Sequence, residues 1–204
     1  MKTDVSCFVK ECHPCQVAGK PNQPVPVGPL RPIPVMQNPF ESIIIDIVGP
    51  LPKTSSGYSY LLIILDVATR YPEAIPLCTM HVKVVVRKLL HFFTRLRLPL
   101  GIQSDQGSNF MSNLFEESLR EFGIAHVVSS AYHPQSQGAL ERYHQALKFM
   151  IRKFCEDTGQ YWDKGIPVLL FATREVPSES LSFSPHELVF EHHVRGPLML
   201  VKER

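Results

Sequence analysis

The chain has 204 residues, 44% of them hydrophobic and 20% charged, with a net charge of +2; this supports one sizeable core and excludes a disordered chain, and the bulk charge does not by itself announce a nucleic-acid binder. No apolar run approaches the roughly 20 residues of a membrane helix, so a spanning helix is excluded. The opening MKTDVSCFVKEC lacks the apolar h-region of a secretory leader, and five cysteines (Cys7, Cys12, Cys15, Cys78, Cys155) are too few and odd in number for a disulfide framework.

Residues 1–20 form a short cysteine-bearing head. Residues 21–39 hold seven prolines, which remove backbone donors and favour extended conformations, so this stretch reads as a stiff linker. Ile43-Ile44-Ile45-Asp46-Ile47-Val48, ended by Gly49-Pro50, is a β-branched run and a buried strand. Tyr60–Asp66 is a second strand, reached through a turn-rich connection at 51–59, and Tyr71–Leu77 a third. The period changes over 80–97, where Val82, Val85, Leu89, Phe92, Phe93 and Leu96 follow helical spacing until Pro99.

Gly101–Ser104 is a short strand feeding Asp105. Asn113–Phe122 is a helix, with Asn113 and Glu116 in capping-box spacing and Gly123 at the exit. Ala125–Val128 is a strand, 129–138 a polar loop, and Ala139–Thr158 a long helix ended by Gly159. Tyr161–Arg174 is a further helix that Pro167 limits or kinks, and Ser184-Pro185-His186-Glu187 opens the last one with a cap, a first-turn proline and an N3 acid. Three consecutive strands followed by alternating helices and strands predict a mixed α/β sheet with helices on its faces.

Three acids stand out by position. Asp46 interrupts an apolar strand, Asp105 ends a strand at the turn Ser104-Asp105-Gln106-Gly107, and Glu141 lies in the first turn of the long helix. A lone buried carboxylate is costly and needs a partner or a cation. Carboxylates gathered at one sheet edge give the all-oxygen donor set that Mg²⁺ and Mn²⁺ prefer, and two such ions about 4 Å apart activate a nucleophile and stabilise the leaving oxygen at a phosphodiester. Each acid also has an ordinary explanation: a strand-end acid paired with arginine, a turn residue, or a partner of the helix dipole.

The words around these acids are Ile45-Asp46-Ile47-Val48-Gly49-Pro50-Leu51-Pro52, then Ser104-Asp105-Gln106-Gly107-Ser108-Asn109-Phe110, then Tyr132-His133-Pro134-Gln135-Ser136-Gln137-Gly138-Ala139-Leu140-Glu141-Arg142. In order and spacing, with thirty-five residues between Asp105 and Glu141, they resemble the catalytic core of retroviral and long-terminal-repeat retrotransposon integrases. The later words Trp162-Asp163-Lys164, Leu170–Pro177 and Phe183–Leu188 resemble the gypsy (Ty3-like) branch. The resemblance covers about residues 7–204.

It implies an RNase H-like fold, with three antiparallel strands and then two shorter parallel ones, flanked by helices. It further implies that Asp46, Asp105 and Glu141 are a catalytic triad holding two Mg²⁺ or Mn²⁺ ions. The implied reactions are 3′-end processing and DNA strand transfer, without a covalent protein intermediate. The implied partners are double-stranded DNA and further copies of the chain, as a homodimer or higher oligomer, with a nuclear place of action and no membrane. Ser108, Gln137, His144 and Lys148 match DNA-contacting positions of the family, whereas Gln145 stands where many retroviral members carry lysine.

Glu141, Gln145 and Lys148 share a helix face, and a cation one or two turns from a metal-binding acid reaches a bound phosphate. Lys83, Arg87 and Lys88 lie opposite an apolar stripe and read as a solvated face, with a phosphate-tracking face as the alternative. Asp66, at another strand end, is by the resemblance either structural or a support for the metal-binding acids, outside the triad.

Cys12-x2-Cys15 is half of a tetrahedral zinc site. Val5–Gln16 resembles the end of the family's HH-CC domain, whose histidine pair would precede Met1, so zinc bound by this chain alone is not expected. The organisation expected is a truncated HH-CC remnant (1–20), a proline-rich linker (21–39), the integrase core (40–158) and its C-terminal helical part (159–204), without a DNA- or chromatin-binding tail. A rival from another class is a host-captured copy that binds DNA or protein without catalysis; a transposase or nuclease on the same fold is a third.

Overall fold

The computed structural model describes residues 2–12, 38–128, 134–178 and 181–196. The chain divides into two compact units, Met1–Pro34 and Val35–Arg204. Within the first, Lys2–Glu11 form helix α1, an element not expected from the sequence. Cys12 is half-exposed and in no disulfide among the described residues, while Cys15, the other half of the CxxC, and nearly all of the proline-rich linker lie outside the described residues.

The second unit is a five-stranded sheet in the order β3-β2-β1-β4-β5, from β1 (Ser42–Val48), β2 (Tyr60–Asp66), β3 (Pro72–Leu77), β4 (Gly101–Ser104) and β5 (Ala125–Val128). β1, β2 and β3 pair antiparallel, and β4 and β5 join parallel to β1. This is the mixed sheet expected from the sequence. Helices α2 (Val82–Phe93), α3 (Asn113–Glu121), α4 (Pro134–Thr158), α5 (Trp162–Glu175) and α6 (Pro185–Phe190) follow in chain order.

Side chains alternate across a strand, so β1 serves two cores. Ile43 and Ile45 face one side with Leu62 and Ile64 of β2, Val85, Leu89, Phe92 and Phe93 of α2, and Phe115 and Leu119 of α3. Ile44 and Val48 face the other side with Leu61, Ile63 and Leu65 of β2, Leu147 of α4, and Trp162, Ile166 and Leu170 of α5. Burial on both faces explains why β1 is a near-continuous apolar run rather than an alternating one. By the same alternation Asp46 belongs to the face that carries α4.

Four local features differ from expectation. α2 ends at Phe93, ahead of Pro99, because Arg95 and Leu96 bond back only three residues, to Phe92 and Phe93, and so tighten the last turn. α3 is capped by Ser112, whose side chain accepts from the Phe115 N–H, and not by Asn113. α4 begins at Pro134 rather than near Ala139, so the last five residues of the expected 129–138 loop lie inside a helix; proline's fixed φ suits a first helical position. α5 runs through Pro167, giving up one backbone hydrogen bond without ending there. At α6 the capping box on Ser184 and Glu187 forms as the spacing predicts.

α5 is tied to the rest of the sheet by specific contacts. The Trp162 indole N–H donates to the Pro52 carbonyl at 2.7 Å. Arg174 donates twice to the Pro72 carbonyl, pairs with Glu73 at 3.1 Å and covers the Tyr71 ring. Gly165 lets α5 approach α4, since a Cβ there would stand 2.6 Å from the Phe154 ring. Gly165→Val is therefore expected to lower unfolding stability by about 1–3 kcal/mol through overpacking against Phe154, which outweighs valine's better helix propensity. Urea unfolding tests this, and a second-site Phe154→Leu change should recover part of the loss.

Candidate active site

β1 and β4 run parallel with Ile44 opposite Gln103. Two residues further along each strand come Asp46 (44 + 2) and Asp105 (103 + 2), so the register carries the two acids to the same carboxyl-terminal edge of the sheet. Outside the carboxyl ends of strands is where open α/β sheets place their sites. Asp105 sits just past β4, exposed, with its carboxylate accepting the Gly107 N–H at 3.0 Å. Asp46 is half-buried, and its carboxylate accepts the Ile47 N–H at 2.7 Å.

α4 crosses over this edge. The His144 imidazole approaches Asp46, Nδ1 to Oδ2, at 3.3 Å, with its side chain only 12% exposed. Positions 144, 147 and 151 recur at helical spacing on the buried side of α4, where Leu147 and Ile151 pack against β1 and β2. That spacing is the signal that could have marked His144 as inward-facing. The resemblance makes His144 a DNA-contacting position, and in the structure its ring stands beside the Asp46 carboxylate. His144 Nε2 is buried with no hydrogen-bond partner among the described residues.

The electrostatics fit this crowding. Burial, reinforced by the Asp105 charge, pushes the Asp46 carboxyl up to about 6, against the opposing pull of the Ile47 N–H and Lys148. Burial and Lys148 push His144 down to about 4, so the imidazole is neutral at working pH. The Asp46–His144 contact thus joins a neutral ring to a carboxylate whose charge is poorly compensated.

Of the other sequence-predicted positions, Lys148 is exposed on α4 and its charge reaches Asp46. Ser108 is exposed on the turn that carries Asp105. Glu141 and Gln137 lie on α4, Glu141 one turn ahead of His144, and their side chains are outside the described residues. Among the described residues no three Asp, Glu, His or Cys side chains gather closely enough to hold a metal ion. Two carboxylates do come together, one of them costly to ionise, beside an unpartnered buried nitrogen. A hard divalent cation would offset the cost of ionising Asp46 through carboxylate oxygens, the donor type that Mg²⁺ and Mn²⁺ prefer.

The charge on Asp46 has a measurable consequence for stability. Its carboxyl is held above its ordinary 3.8, so its favourable contribution is complete below about pH 4 and is lost as pH rises through about 6. Ionising it in the fold costs roughly 3 kcal/mol before screening, and water at the half-buried side chain reduces this to about 1–2 kcal/mol. In chelator, the stability of Asp46→Asn relative to the parent is expected to improve by that amount between pH 4 and pH 7. A difference that stays flat in urea unfolding across this range would refute it.

The integrase core domain family matches residues 37–134. The chain is 31% identical over 192 residues to the Pro-Pol polyprotein of feline foamy virus, covering 93% of this chain and 16% of that protein. It is 28% identical over 200 residues to the gypsy retrotransposon integrase-like protein 1 of Rattus norvegicus, covering 97% of this chain and 37% of that one. The chain thus spans only about a sixth of the viral polyprotein and just over a third of the rat protein.

Among solved structures it resembles a simian T-cell lymphotropic virus intasome in complex with PP2A regulatory subunit B56 gamma. There the TM-score is 0.73 at 22% identity, over 97% of this chain and 69% of that one. It also resembles the HTLV-2 integrase catalytic core in complex with magnesium, with a TM-score of 0.62 at 18% identity, over 74% of this chain and all but 3% of that one (97% covered). These likenesses are to the fold, which is RNase H-like. Residues 37–134, which carry this sheet and its Asp46 and Asp105 edge, thus match an integrase core domain, and the relatives of the chain are retroviral and retrotransposon polyproteins and integrase-like proteins.

Proposed function

We propose that the chain is the catalytic core of a divalent-metal-dependent polynucleotidyl transferase that trims DNA 3′ ends and joins them to target DNA. The observation that carries this reading is the pairing of Asp46 and Asp105 at the carboxyl edge of parallel strands β1 and β4, with the Lys148 cation beside them. Asp46 and Asp105, with Glu141 from α4, would hold the cations. When bound, these supply charge stabilisation at the phosphodiester and a more acidic nucleophile.

Lys148 would hold the phosphate that precedes the reacting bond. Ser108, exposed on the Asp105 turn, would meet the target strand, and Gln137 the processed end. In trimming, a water oxygen bonds to phosphorus as the bond to the 3′ oxygen breaks, leaving a free 3′-hydroxyl. In joining, that hydroxyl attacks a target phosphodiester and displaces its 3′ oxygen. One phosphodiester replaces another, so no nucleotide cofactor is needed. The protein's share of the rate is positioning and fixed charge. Self-association and a nuclear place of action are part of this reading, as is double-stranded DNA as partner.

The test is an oligonucleotide assay in Mn²⁺ or Mg²⁺, with and without chelator. Product that depends on the cation supports the reading. DNA retention that is indifferent to chelator, with neither nicked nor joined product, would replace it with a binding-only role.

A further inference from the structure

A cavity of about 430 Å³ opens between the end of β1, β2 and α4. Packed interiors leave few voids larger than a water molecule, and this volume lies in the range of small-ligand sites, about 300–1,000 Å³. Its walls are apolar: Val48, Leu61, Ile63, Leu147, Ile151 and Trp162 line it. The exposed lining residues Lys148, Arg152 and Glu156, four apart along one side of α4, mark its mouth and leave a net positive charge there. Among the described residues neither Lys148 nor Arg152 closes an ion pair. His144, with its unpartnered Nε2, also lines the cavity.

These features select a ligand class. An apolar chamber would strand the polar edges of a nucleobase without partners. A wholly apolar guest would leave the two mouth cations unused. We propose that this cavity binds a small amphipathic anion, an aryl or short alkyl body carrying one carboxylate or sulfonate, with the body among the apolar walls and the head on Lys148 and Arg152. Binding stands on the cavity alone. Its consequence rests on the function proposed above: a head group held by Lys148 occupies a cation meant for a DNA phosphate.

Trp162 is the only tryptophan of the chain and lines the cavity, so it reports occupancy directly. The probe is 1-anilinonaphthalene-8-sulfonate, titrated into the folded chain in chelator at pH 7.5. Saturable binding is expected, with Trp162 emission falling in parallel through energy transfer. Arg152→Glu, on an exposed position, is expected to weaken the probe at least tenfold with an unchanged Tm. The neutral analogue N-phenyl-1-naphthylamine should likewise bind about tenfold more weakly than the sulfonate.

Equal affinity in Arg152→Glu, or probe emission that rises without loss of Trp162 emission, would overturn the assignment. Saturating probe is also expected to weaken binding of a labelled duplex. Duplex binding unaffected by bound probe would overturn the link through Lys148. A chain that takes the probe but no DNA would sink the DNA reading and leave the cavity site intact.

Discussion

Asp105→Asn is expected to abolish cation-dependent trimming and joining, by about a thousandfold or more, while leaving the fold and its Tm unchanged. Asp105 is exposed beyond the end of β4, and the one described hydrogen bond its side chain makes is the acceptance of the Gly107 N–H, which an amide oxygen can replace. Surface changes of this kind stay within about 0.5 kcal/mol in stability. The chemical loss is another matter. A carboxylate that shares a divalent ion supplies several kcal/mol of charge stabilisation at the reacting phosphate, and each 1.36 kcal/mol is a factor of ten in rate. The variant also removes the negative neighbour that helps raise the Asp46 carboxyl, so Asp46 should titrate lower in it.

Stabilisation by Mn²⁺, read as a rise in Tm at pH 7.5, should disappear in Asp105→Asn together with activity. Joining at the parent rate by soluble, folded Asp105→Asn protein would end the case for this acid. Retained activity with lost Mn²⁺ stabilisation would equally do so, because the two readouts report one ion.

The strands were legible because each announces itself locally. β2, β4 and β5 begin and end where apolar runs meet Gly, Asp or polar turns, and β1 needs only Ser42 added to its expected span. Helix starts were less legible, since cap-type residues cluster there. Ser112 and Asn113 are both good caps, and only the backbone path decides that Ser112 takes the Phe115 N–H. Pro134 reads equally as a loop residue or a first helical residue.

The site was legible as words and not as geometry. Asp46 and Asp105 lie far apart in the chain, and their proximity is created by the parallel pairing of β1 with β4, a long-range choice that no local pattern encodes. The placement of His144 depends in turn on how α4 crosses the edge, which sets its ring beside Asp46, a contact that the family words do not announce.

Asp66→Ala is expected to lower unfolding stability by about 3–5 kcal/mol, a large share of the 5–15 kcal/mol typical of a domain. Asp66 is fully buried, yet it is the last residue of β2 and an acid, like Asp46, on an apolar strand. The difference lies in its partners. Its carboxylate accepts the Phe40 N–H at 2.9 Å, the Thr69 N–H at 2.9 Å and the Thr69 hydroxyl at 2.6 Å. It thereby fixes the segment entering β1 to the turn between β2 and β3.

Burial raises its carboxyl, and these donors work against that rise. Truncation leaves two buried backbone N–H groups and a hydroxyl without an acceptor, at about 1–3 kcal/mol for each stranded donor. Relief of the buried charge returns part of this, which keeps the total near 3–5 kcal/mol. Because these donors already engage Asp66, it has no call on a cation, and Mn²⁺ should raise the Tm of Asp66→Ala by as much as it raises that of the parent. A variant that unfolds at the parent's urea midpoint but loses the Mn²⁺ effect would move Asp66 from scaffold to metal site and displace the assignment of Asp46 and Asp105.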